Sequence, residues 1–112
     1  LVYNNGNMKR DFTYIDDIIS GTRSAMVKNF KCEVFNLGNH KSEELMDVVR
    51  LIEENLGKKA EIDFQCIQPG DVPESFADIS HSEQLLGFKP KTNINKGIRK
   101  FIKWYKSYYH ID

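Results

Sequence analysis

Apolar residues recur at helical spacing in three segments of the chain, and this periodicity constrains the fold more than any other feature. Such spacing places the apolar side chains on one face of an α-helix, so each segment predicts a helix that packs on another part of the protein. The three stripes are Ile15, Ile18, Ile19, Thr22 and Met26; Leu45, Val48, Val49, Ile52 and Leu56; and Ile94, Ile98, Phe101, Tyr105 and Tyr108.

Capping residues flank these stripes and mark a further, shorter helix. A serine, threonine or asparagine at a helix start accepts a backbone N–H, and a glycine tolerates the left-handed conformation at a helix end. Asp16 and Asp17 are expected in the first turn of the first helix, against the positive end of its dipole. The predicted starts are Thr13 with Asp16, Ser42, Ser80 with Glu83, and Asn93, and the predicted ends are Gly57 and Gly87.

Short strand-like segments alternate with the helices. They cover residues 2–3, 9–13, 33–37 and 60–64, and the residues of a tight turn, NNGN, separate the first two. The resulting order, βαβαβαα, predicts a small α/β (mixed α+β) unit. A length of 112 residues fits one domain with a modest core.

The composition excludes two classes of partner and indicates a compartment. Sixteen basic and sixteen acidic residues cancel, so no net field favours nucleic acid or an anionic membrane. No apolar run approaches the ~20 residues that a membrane helix needs. Cys32 and Cys66 belong to no metal pattern and are expected to be reduced, packed thiols of a cytoplasmic protein. The chain opens at Leu1 directly on strand-like sequence, so we expect no signal peptide and expect an excised domain or the remainder of a longer protein.

The residues predict no catalytic group and no metal site. His40, His81 and His110 are scattered and share no spacing with cysteines or carboxylates, so each is expected at the surface. The stretches NNGN and NLGN each contain a single glycine and match no dinucleotide or phosphate-binding loop. The chain alone is therefore expected to lack turnover.

Anion recognition is a better prediction for the stretch MKRDFTYIDDI. Arg10 follows a lysine at the end of a predicted turn, where a planar guanidinium is suited to a phosphate. The alternative is a surface ion pair with Asp11 or Asp16. Phe12 lies two residues further along the same predicted strand, so it is expected on the same face and against a flat ring.

Two other stretches carry candidate binding residues. Gln68 and Asp71 lie on the proline-stiffened turn QPGD and are suited to hydrogen-bonding hydroxyl groups, with ordinary turn chemistry as the alternative. The stretch KFIKWYKSYY interleaves basic and aromatic residues, as nucleic-acid surfaces do. Its helical phase favours core packing instead, because Phe101, Tyr105 and Tyr108 fall on the apolar stripe.

Six stretches in the same order resemble the C-terminal, substrate-binding part of NAD-dependent sugar-nucleotide epimerases and dehydratases, the extended short-chain dehydrogenase/reductase family. They cover nearly the whole chain and are VYNNGNMKRDFTYIDDI, VFNLGN, ELMDVVRLIEENLG, QPGDVPESFADIS, LLGFKPKT and GIRKFIKWY. The forms NNGNMKRDFTYIDDI and QPGDV look most like UDP-glucuronate 4-epimerases of bacterial capsule and lipopolysaccharide pathways.

The resemblance implies a role for each candidate residue. It implies that Arg10 contacts the nucleotide diphosphate, that Phe12 lies beside the nucleoside, and that the backbone around Val2 and Tyr3 meets uracil. It further implies that Asp71 binds the ribose. Gln68 stands where galactose-type epimerases have a second phosphate-binding arginine, and the glucuronate-type sequences share the glutamine.

The resemblance also implies what lies outside this chain. The family's glycine-rich NAD loop and its catalytic Ser/Thr, Tyr and Lys precede the matching segment. The intact enzyme is therefore expected to be an NAD-dependent isomerase that interconverts UDP-glucuronate and UDP-galacturonate, whereas this chain binds UDP-sugar without NAD and does not catalyse. The alternatives are a dehydratase or decarboxylase of the same family, and a non-catalytic module whose aromatic helix binds a partner.

One structural consequence concerns residues 13–37, which in the family pack on the dinucleotide-binding (Rossmann) domain. An apolar face left in water costs about 25 cal/mol per Å², and an exposed strand edge invites pairing with another chain. We therefore expect self-association through this region, or disorder of it, in addition to a homodimer of the parent protein.

Overall fold

The computed structural model describes residues 1–111 and confirms the mixed helix and strand class, with far less strand than predicted. A short 3₁₀ helix and two strands accompany four α-helices. In chain order these are the 3₁₀ helix Tyr3–Gly6, β1 Lys9–Arg10, α1 Ile15–Lys28, β2 Glu43–Glu44, α2 Leu45–Leu56, α3 Ser80–Leu86 and α4 Ile94–Tyr109.

Strand β1 lies between two neighbours. On one side it pairs with β2 in antiparallel fashion, with Lys9 opposite Glu44. On the other side the segment after the QPGD turn runs parallel to it. There the Lys9 N–H donates to the Pro73 carbonyl at 2.8 Å, and the Ser75 N–H donates to the Lys9 carbonyl at 3.2 Å. Two residues of β1 are thereby fixed from both edges.

The other predicted strands are wrong or much shorter. Residues 33–37 form no strand in the described part of the chain, because side chains hold them: the Asn36 carbonyl accepts from Ser82 and the Phe35 ring stacks on His81. Residues 60–64 contribute a single bridge, from Phe64 to Val2. Residues 11–13 leave β1 because the Asp11 carboxylate turns back to accept backbone N–H groups from other segments.

The turn after Val2 differs from the predicted hairpin. Asn4, Asn5 and Gly6 have φ values of 50°, 50° and 84°, so the expected positive φ is confirmed. These residues form the 3₁₀ helix instead of joining two paired strands, and Tyr3 belongs to it. Val2 pairs with residues 63–65 instead of with β1.

The core is divided between two small contact regions. In the first region Ile79, Leu86 and Phe88 are buried near α1 and α3. Partly buried residues such as Phe35 and Leu37 pack against them. Elsewhere α2 packs against α4, and Val48 and Ile102 are buried residues of these two helices.

Helix α1 buries a different face from the predicted one. Its buried residues are Asp17 and Gly21, whereas Ile15, Ile19 and Met26 are 58%, 57% and 77% exposed. A Cβ at position 21 would lie within 3 Å of Leu37, which shows how closely that backbone approaches its neighbour. The prediction that the isoleucine stripe packs on something is therefore wrong for residues 1–111.

The aromatic face of α4 is also more exposed than predicted. Ile102 and Gly97 are buried, whereas Phe101 is 46% and Tyr108 63% exposed. Trp104 stacks on Tyr108 with ring centroids 5.3 Å apart. The prediction that Phe101 and Tyr108 pack in the core is thus wrong. The buried face of α4 lies about one residue further round the helix.

Helix ends were predicted better than helix starts. Asn93 caps α4 by accepting the Lys96 N–H at 2.9 Å, and Gly57 and Gly87 end α2 and α3 with φ of 68° and 66°. Asp16 and Asp17 lie in the first turn of α1, as predicted.

The other three predicted starts are wrong. The capping positions are Tyr14, Glu44 and Ile79, and none of these side chains forms a cap hydrogen bond. The hydroxyls of Thr13 and Ser80 donate to Asp11 and Asp78 instead, and Ser42 lies before β2, too early to cap α2.

Two further predictions concern the cysteines and membrane-spanning helices. Cys32 and Cys66 are free and exposed, so the expectation of packed thiols is wrong. Among the described residues no helix combines the length and apolar character needed to cross a membrane.

Candidate functional site: an arginine–aspartate pair beside strand β1

Arg10 is held in place by the strand that carries it and by the parallel segment next to it. Its Nη1 donates to the carbonyl of Lys9 at 2.8 Å and to that of Pro73 at 3.3 Å. Because both acceptors are backbone atoms of the fixed β1 region, they orient the guanidinium plane.

Asp71 reaches Arg10 through a tight turn. The Asp71 N–H donates to the Gln68 carbonyl at 3.1 Å, and Gly70 has φ of 83°. Proline followed by glycine at the centre of such a turn is typical of type II geometry, in which the second central residue needs a positive φ. The QPGD sequence therefore builds the turn that turns the Asp71 carboxylate back toward β1.

The two side chains form one partly exposed ion pair. Arg10 Nη2 lies 2.7 Å from Asp71 Oδ1, and the two side chains are 29% and 34% exposed. Asp71 Oδ1 also accepts the Val72 N–H at 2.8 Å. Structure and sequence prediction agree that these residues lie at one place in the fold.

The pair retains unused hydrogen-bonding capacity toward solvent. A guanidinium has five N–H donors, and within residues 1–111 Arg10 uses three of them, on Lys9, Pro73 and Asp71. Its Nε–H and one Nη2–H make no hydrogen bond there, and neither does Asp71 Oδ2. The partly exposed pair thus keeps donors that could serve an anion and an acceptor that could serve a hydroxyl group.

The alternative partners predicted for Arg10 are wrong. Asp16 lies on α1 with a carboxylate oxygen 3.7 Å from Lys100 Nζ. The Asp11 carboxylate accepts the backbone N–H groups of Asn39, His40 and Ala77. Neither carboxylate pairs with Arg10, because each is already engaged by another segment.

Lys9, next to Arg10, is occupied as well. Its Nζ lies 3.2 Å from Glu44 Oε1 across the β1–β2 pair. The hydrogen bond and charge of Glu44, with a further contribution from Glu74, raise the pKa of Lys9 above its usual value. Both cations of β1 are thus paired with a carboxylate, and Arg10 is the better candidate for a phosphate because its planar guanidinium can donate two parallel hydrogen bonds.

Phe12 and Gln68 stand apart from the pair in different ways. Phe12 lines a cavity of about 250 Å³ with Ile15 and Phe101, and neither Arg10 nor Asp71 belongs to its walls. The reason is that β1 ends at Arg10, so strand alternation does not extend to Phe12. The Gln68 side chain is exposed on the turn.

Part of the backbone hydrogen-bonding capacity near the N-terminus is already used within the protein. The Val2 N–H donates to the Asp63 carbonyl and the Val2 carbonyl accepts from the Gln65 N–H, both at 2.8 Å. This pairing fixes Val2 against the start of the loop that carries Gln68 and Asp71. Tyr3, which opens the 3₁₀ helix, is half-buried.

Sequence reasoning missed that Asp11 and Asp17 connect distant segments of the fold. Both are carboxylates that accept backbone N–H groups from distant segments, Asp17 from Thr92 at 3.0 Å. No sequence signal identifies such partners, since every residue except proline has a backbone N–H.

The described residues hold no group of three or more histidine, cysteine, aspartate or glutamate side chains that could ligate a metal. His81 pairs with Glu33 at 2.9 Å, and His40 Nδ1 lies 2.9 Å from the Ala77 carbonyl.

Comparisons with known proteins identify the family of this chain. The family model described as GDP-mannose 4,6-dehydratase matches residues 1–101. A protein of Methanocaldococcus jannaschii is 51% identical over 93% of this chain and 32% of its own length. UDP-glucuronate 4-epimerase 4 of Arabidopsis thaliana is 39% identical over 97% of this chain and 28% of its own length.

A solved structure gives the same result in three dimensions. A mutant UDP-glucuronic acid 4-epimerase from Bacillus cereus, in complex with UDP-4-deoxy-4-fluoro-glucuronic acid and NAD, superposes with a TM-score of 0.83 at 34% identity. The match covers 96% of this chain and 35% of that one. The chain thus spans about a third of the length of the relatives it matches. It belongs to the GDP-mannose 4,6-dehydratase family, the family of sugar-nucleotide epimerases and dehydratases that its motifs resemble.

Proposed function

We propose that this chain is the UDP-sugar-binding region, residues 1–112, of an NAD-dependent sugar-nucleotide 4-epimerase that interconverts UDP-glucuronate and UDP-galacturonate. The observation that carries the proposal is the partly exposed Arg10–Asp71 pair, in which two N–H groups of the guanidinium and one carboxylate oxygen make no hydrogen bond within residues 1–111. The similarity to proteins named UDP-glucuronate 4-epimerase supports the choice of sugar nucleotide.

In this proposal Arg10 binds the diphosphate and Asp71 the ribose. Arginine binds phosphate oxygens through short, charge-assisted hydrogen bonds, and a carboxylate oxygen accepts from hydroxyl groups. Gln68, on the same turn as Asp71, extends its amide toward the diphosphate. The pair exchanges part of its mutual contact for contacts with the ligand, so little desolvated charge is left unpaired.

The nucleoside contacts are proposed on less geometry. Phe12 lies beside the nucleoside and the backbone near Val2 and Tyr3 meets uracil. Since the Val2 N–H already donates to Asp63, the uracil contact falls to Tyr3 and to the second lone pair of the Val2 carbonyl. Both roles require the ligand to extend from the Arg10–Asp71 pair toward the N-terminal segment.

NAD is proposed as cofactor of the complete protein. Dinucleotide pyrophosphates bind at a glycine-rich turn between a parallel strand and a helix N-terminus. Within residues 1–111 no such turn occurs, and the first turn of α1 carries Asp16 and Asp17, which would repel a pyrophosphate. The residues of this chain therefore do not fit the cofactor, and its contacts are assigned to the rest of the protein.

Calorimetric titration with UDP tests the proposal. We expect Arg10→Ala to weaken UDP binding by about 1.5–3 kcal/mol, the range for hydrogen bonds to a charged group. Arg50→Ala is the matched control, because Arg50 also forms an arginine–aspartate pair, with Asp47 at 2.6 Å, but on exposed α2. Equal UDP affinity of the Arg10→Ala and Arg50→Ala variants would rule out the Arg10 site.

A 4,6-dehydratase is the second candidate reaction, favoured by the description of the matching family. The two reactions share the nucleotide site and differ in the product. Incubation of the complete protein with UDP-glucuronate and, separately, with UDP-glucose, followed by chromatography, separates them. An epimerase converts UDP-glucuronate to UDP-galacturonate of unchanged mass, whereas a 4,6-dehydratase, which needs a C6 hydroxyl to eliminate, converts UDP-glucose to a product that has lost water.

A further inference from the structure

We propose that Asp11 is a positioning residue of the Arg10–Asp71 pair. It does not face the ligand; it holds together the three segments whose arrangement sets the distance between Arg10 and Asp71. The evidence for this inference is the set of contacts made by one carboxylate. Its consequence for ligand binding rests on the proposed function.

The Asp11 carboxylate is a centre of backbone hydrogen bonds. Oδ1 accepts the Asn39 N–H at 2.8 Å, and Oδ2 accepts those of His40 at 3.0 Å and Ala77 at 3.1 Å. The Thr13 hydroxyl lies 3.5 Å from Oδ1. The donors come from two loops that are far apart in sequence, and the acceptor follows Arg10 directly.

The loop at residues 38–40 is shaped to receive this carboxylate. His40 has φ of 54°, and the consecutive N–H groups of Asn39 and His40 converge on this one carboxylate. Gly38 leaves the necessary room, because a Cβ there would lie 2.8 Å from Asp11 Oδ2 and 2.5 Å from the Ala77 Cβ. His40 Nδ1 adds a 2.9 Å contact with the Ala77 carbonyl and closes the ring.

The connection to the site runs along β1. The segment that follows Asp71 is fixed to Lys9 through Pro73 and Ser75, and to Asp11 through Ala77. Arg10 lies between these two attachment points. With the Asp11 bond lost, the segment keeps its contacts with Lys9, Arg10 and His40, but no longer has a direct bond to the residue that follows Arg10. The 2.7 Å contact between Arg10 and Asp71 then loses part of the support that fixes its geometry.

Asp11→Asn is the isosteric test, because an amide places an NH₂ donor against backbone N–H donors. We expect it to weaken UDP binding by about tenfold or more, as for loss of hydrogen bonds to a charged group. The matched control is Asp17→Asn, which removes another carboxylate that accepts a distant N–H, that of Thr92 at 3.0 Å. It should lower the thermal unfolding midpoint without changing UDP affinity by more than about twofold.

A double-mutant cycle separates positioning from general destabilisation. Because Asp11 acts through Arg10, Asp11→Asn should cause little additional loss of UDP affinity in the Arg10→Ala background, and the interaction energy should be large. Full additivity of the two losses, or an unchanged affinity for Asp11→Asn alone, would overturn the proposal.

A readout without ligand distinguishes failure of this proposal from failure of the proposed function. In NMR spectra of the free chain, Asp11→Asn should shift the Arg10 Nε–H signal and reduce hydrogen-exchange protection of the Val72 amide, which donates to Asp71. Asp17→Asn should leave both unchanged. If the wild-type chain does not bind UDP, these signals still decide: unchanged signals in Asp11→Asn would contradict positioning.

If Asp11→Asn does not fold by circular dichroism, Gly38→Ala replaces it. This variant keeps the carboxylate and displaces the turn from it. It should shift the same two signals, and a spectrum in which both stay in place would equally overturn the proposal.

Discussion

Arg10 donates three hydrogen bonds to the protein and has two further N–H groups without a partner among residues 1–111. These two groups are the basis of the proposed site. Two backbone carbonyls and Asp71 fix the guanidinium. The residue types were predictable from the MKRDF and QPGD stretches. Their mutual contact was less so, because 61 positions separate them and only the tertiary fold brings them together. Asp11 could not have been recognised as a hub, since its partners are backbone groups.

The division of labour between Arg10 and Asp71 predicts an asymmetric loss of specificity. Asp71→Ala should remove the preference for UDP over 2′,3′-dideoxyuridine diphosphate, because only the former offers the hydroxyl groups that Asp71 would accept from. The preference, measured as the ratio of the two dissociation constants, should fall toward unity. Arg10→Ala should weaken both ligands and keep the ratio. A ratio that survives Asp71→Ala would remove Asp71 from the ribose.

At the scale of secondary structure, what was predicted well is what the local sequence determines. The helices, the Asn93 cap and the glycine ends of α2 and α3 depend on neighbouring residues alone, and all were found. Strands depend on a partner, and segment 33–37 has none within residues 1–111. The buried face of α1 also escaped prediction, because Gly21 packs there through its lack of a side chain and not through hydrophobicity.

Alanine should have opposite effects on stability at a glycine that ends a helix and at a glycine inside a helix. Gly87→Ala should destabilise the fold by about 1–2 kcal/mol, the cost of a left-handed conformation for a residue with a Cβ; its φ is 66°. Gly97→Ala, inside α4, should be neutral or stabilising by up to about 1 kcal/mol, because its Cβ would meet Tyr14 at an ordinary 3.6 Å. Urea unfolding of both variants measures the two changes in stability. Equal changes would contradict the assignment of Gly87 as a left-handed helix end.

The end of α2 predicts a pH dependence of stability. Glu53 accepts the Ala60 N–H and pairs with Lys59, and these contacts lower its pKa below its usual value of 4.5. A lowered pKa in the folded state means that the contribution is present above about pH 4.5 and is lost as the pH falls through the lowered value.

The comparison is between Glu53→Gln and wild type in urea unfolding from pH 7 to pH 3. The variant should be less stable at pH 7, and the two curves should converge in acid. Glu54→Gln, at the exposed neighbouring position, should follow wild type throughout. A difference for Glu53→Gln that stays constant down to pH 3 would show that its carboxylate gains nothing on folding.

At the scale of the whole molecule, the chain is flat and its core is thin. Its dimensions are 47 × 37 × 18 Å and its radius of gyration is 16.4 Å, against about 13 Å for a compact domain of this length. Large apolar side chains remain exposed on α1 and on the C-terminal half of α4. Within residues 13–37 the helix α1 is formed, and Phe35 and Leu37 are partly buried against the core. Self-association, now through the exposed stripe of α1, stays a prediction to be tested.

The exposed stripe of α1 predicts association that depends on concentration. We expect sedimentation equilibrium to show self-association of the wild-type chain, and Ile19→Glu to weaken it because the charge would have to be buried in the contact. Ile67→Glu introduces the same charge at an exposed isoleucine outside α1 and should associate like wild type. A chain that stays monomeric at about 100 μM, well above typical micromolar affinities, would refute association through α1.

The central claim, that Arg10 and Asp71 hold one nucleotide between them, is tested most directly by a crystal structure of the complete protein with UDP-glucuronate bound. The predicted result places diphosphate oxygens about 2.7–3.2 Å from the Arg10 guanidinium, the usual hydrogen-bond range, and a ribose hydroxyl on Asp71 Oδ2. A diphosphate bound elsewhere, with Arg10 still contacting only Asp71 and the backbone, would contradict the account.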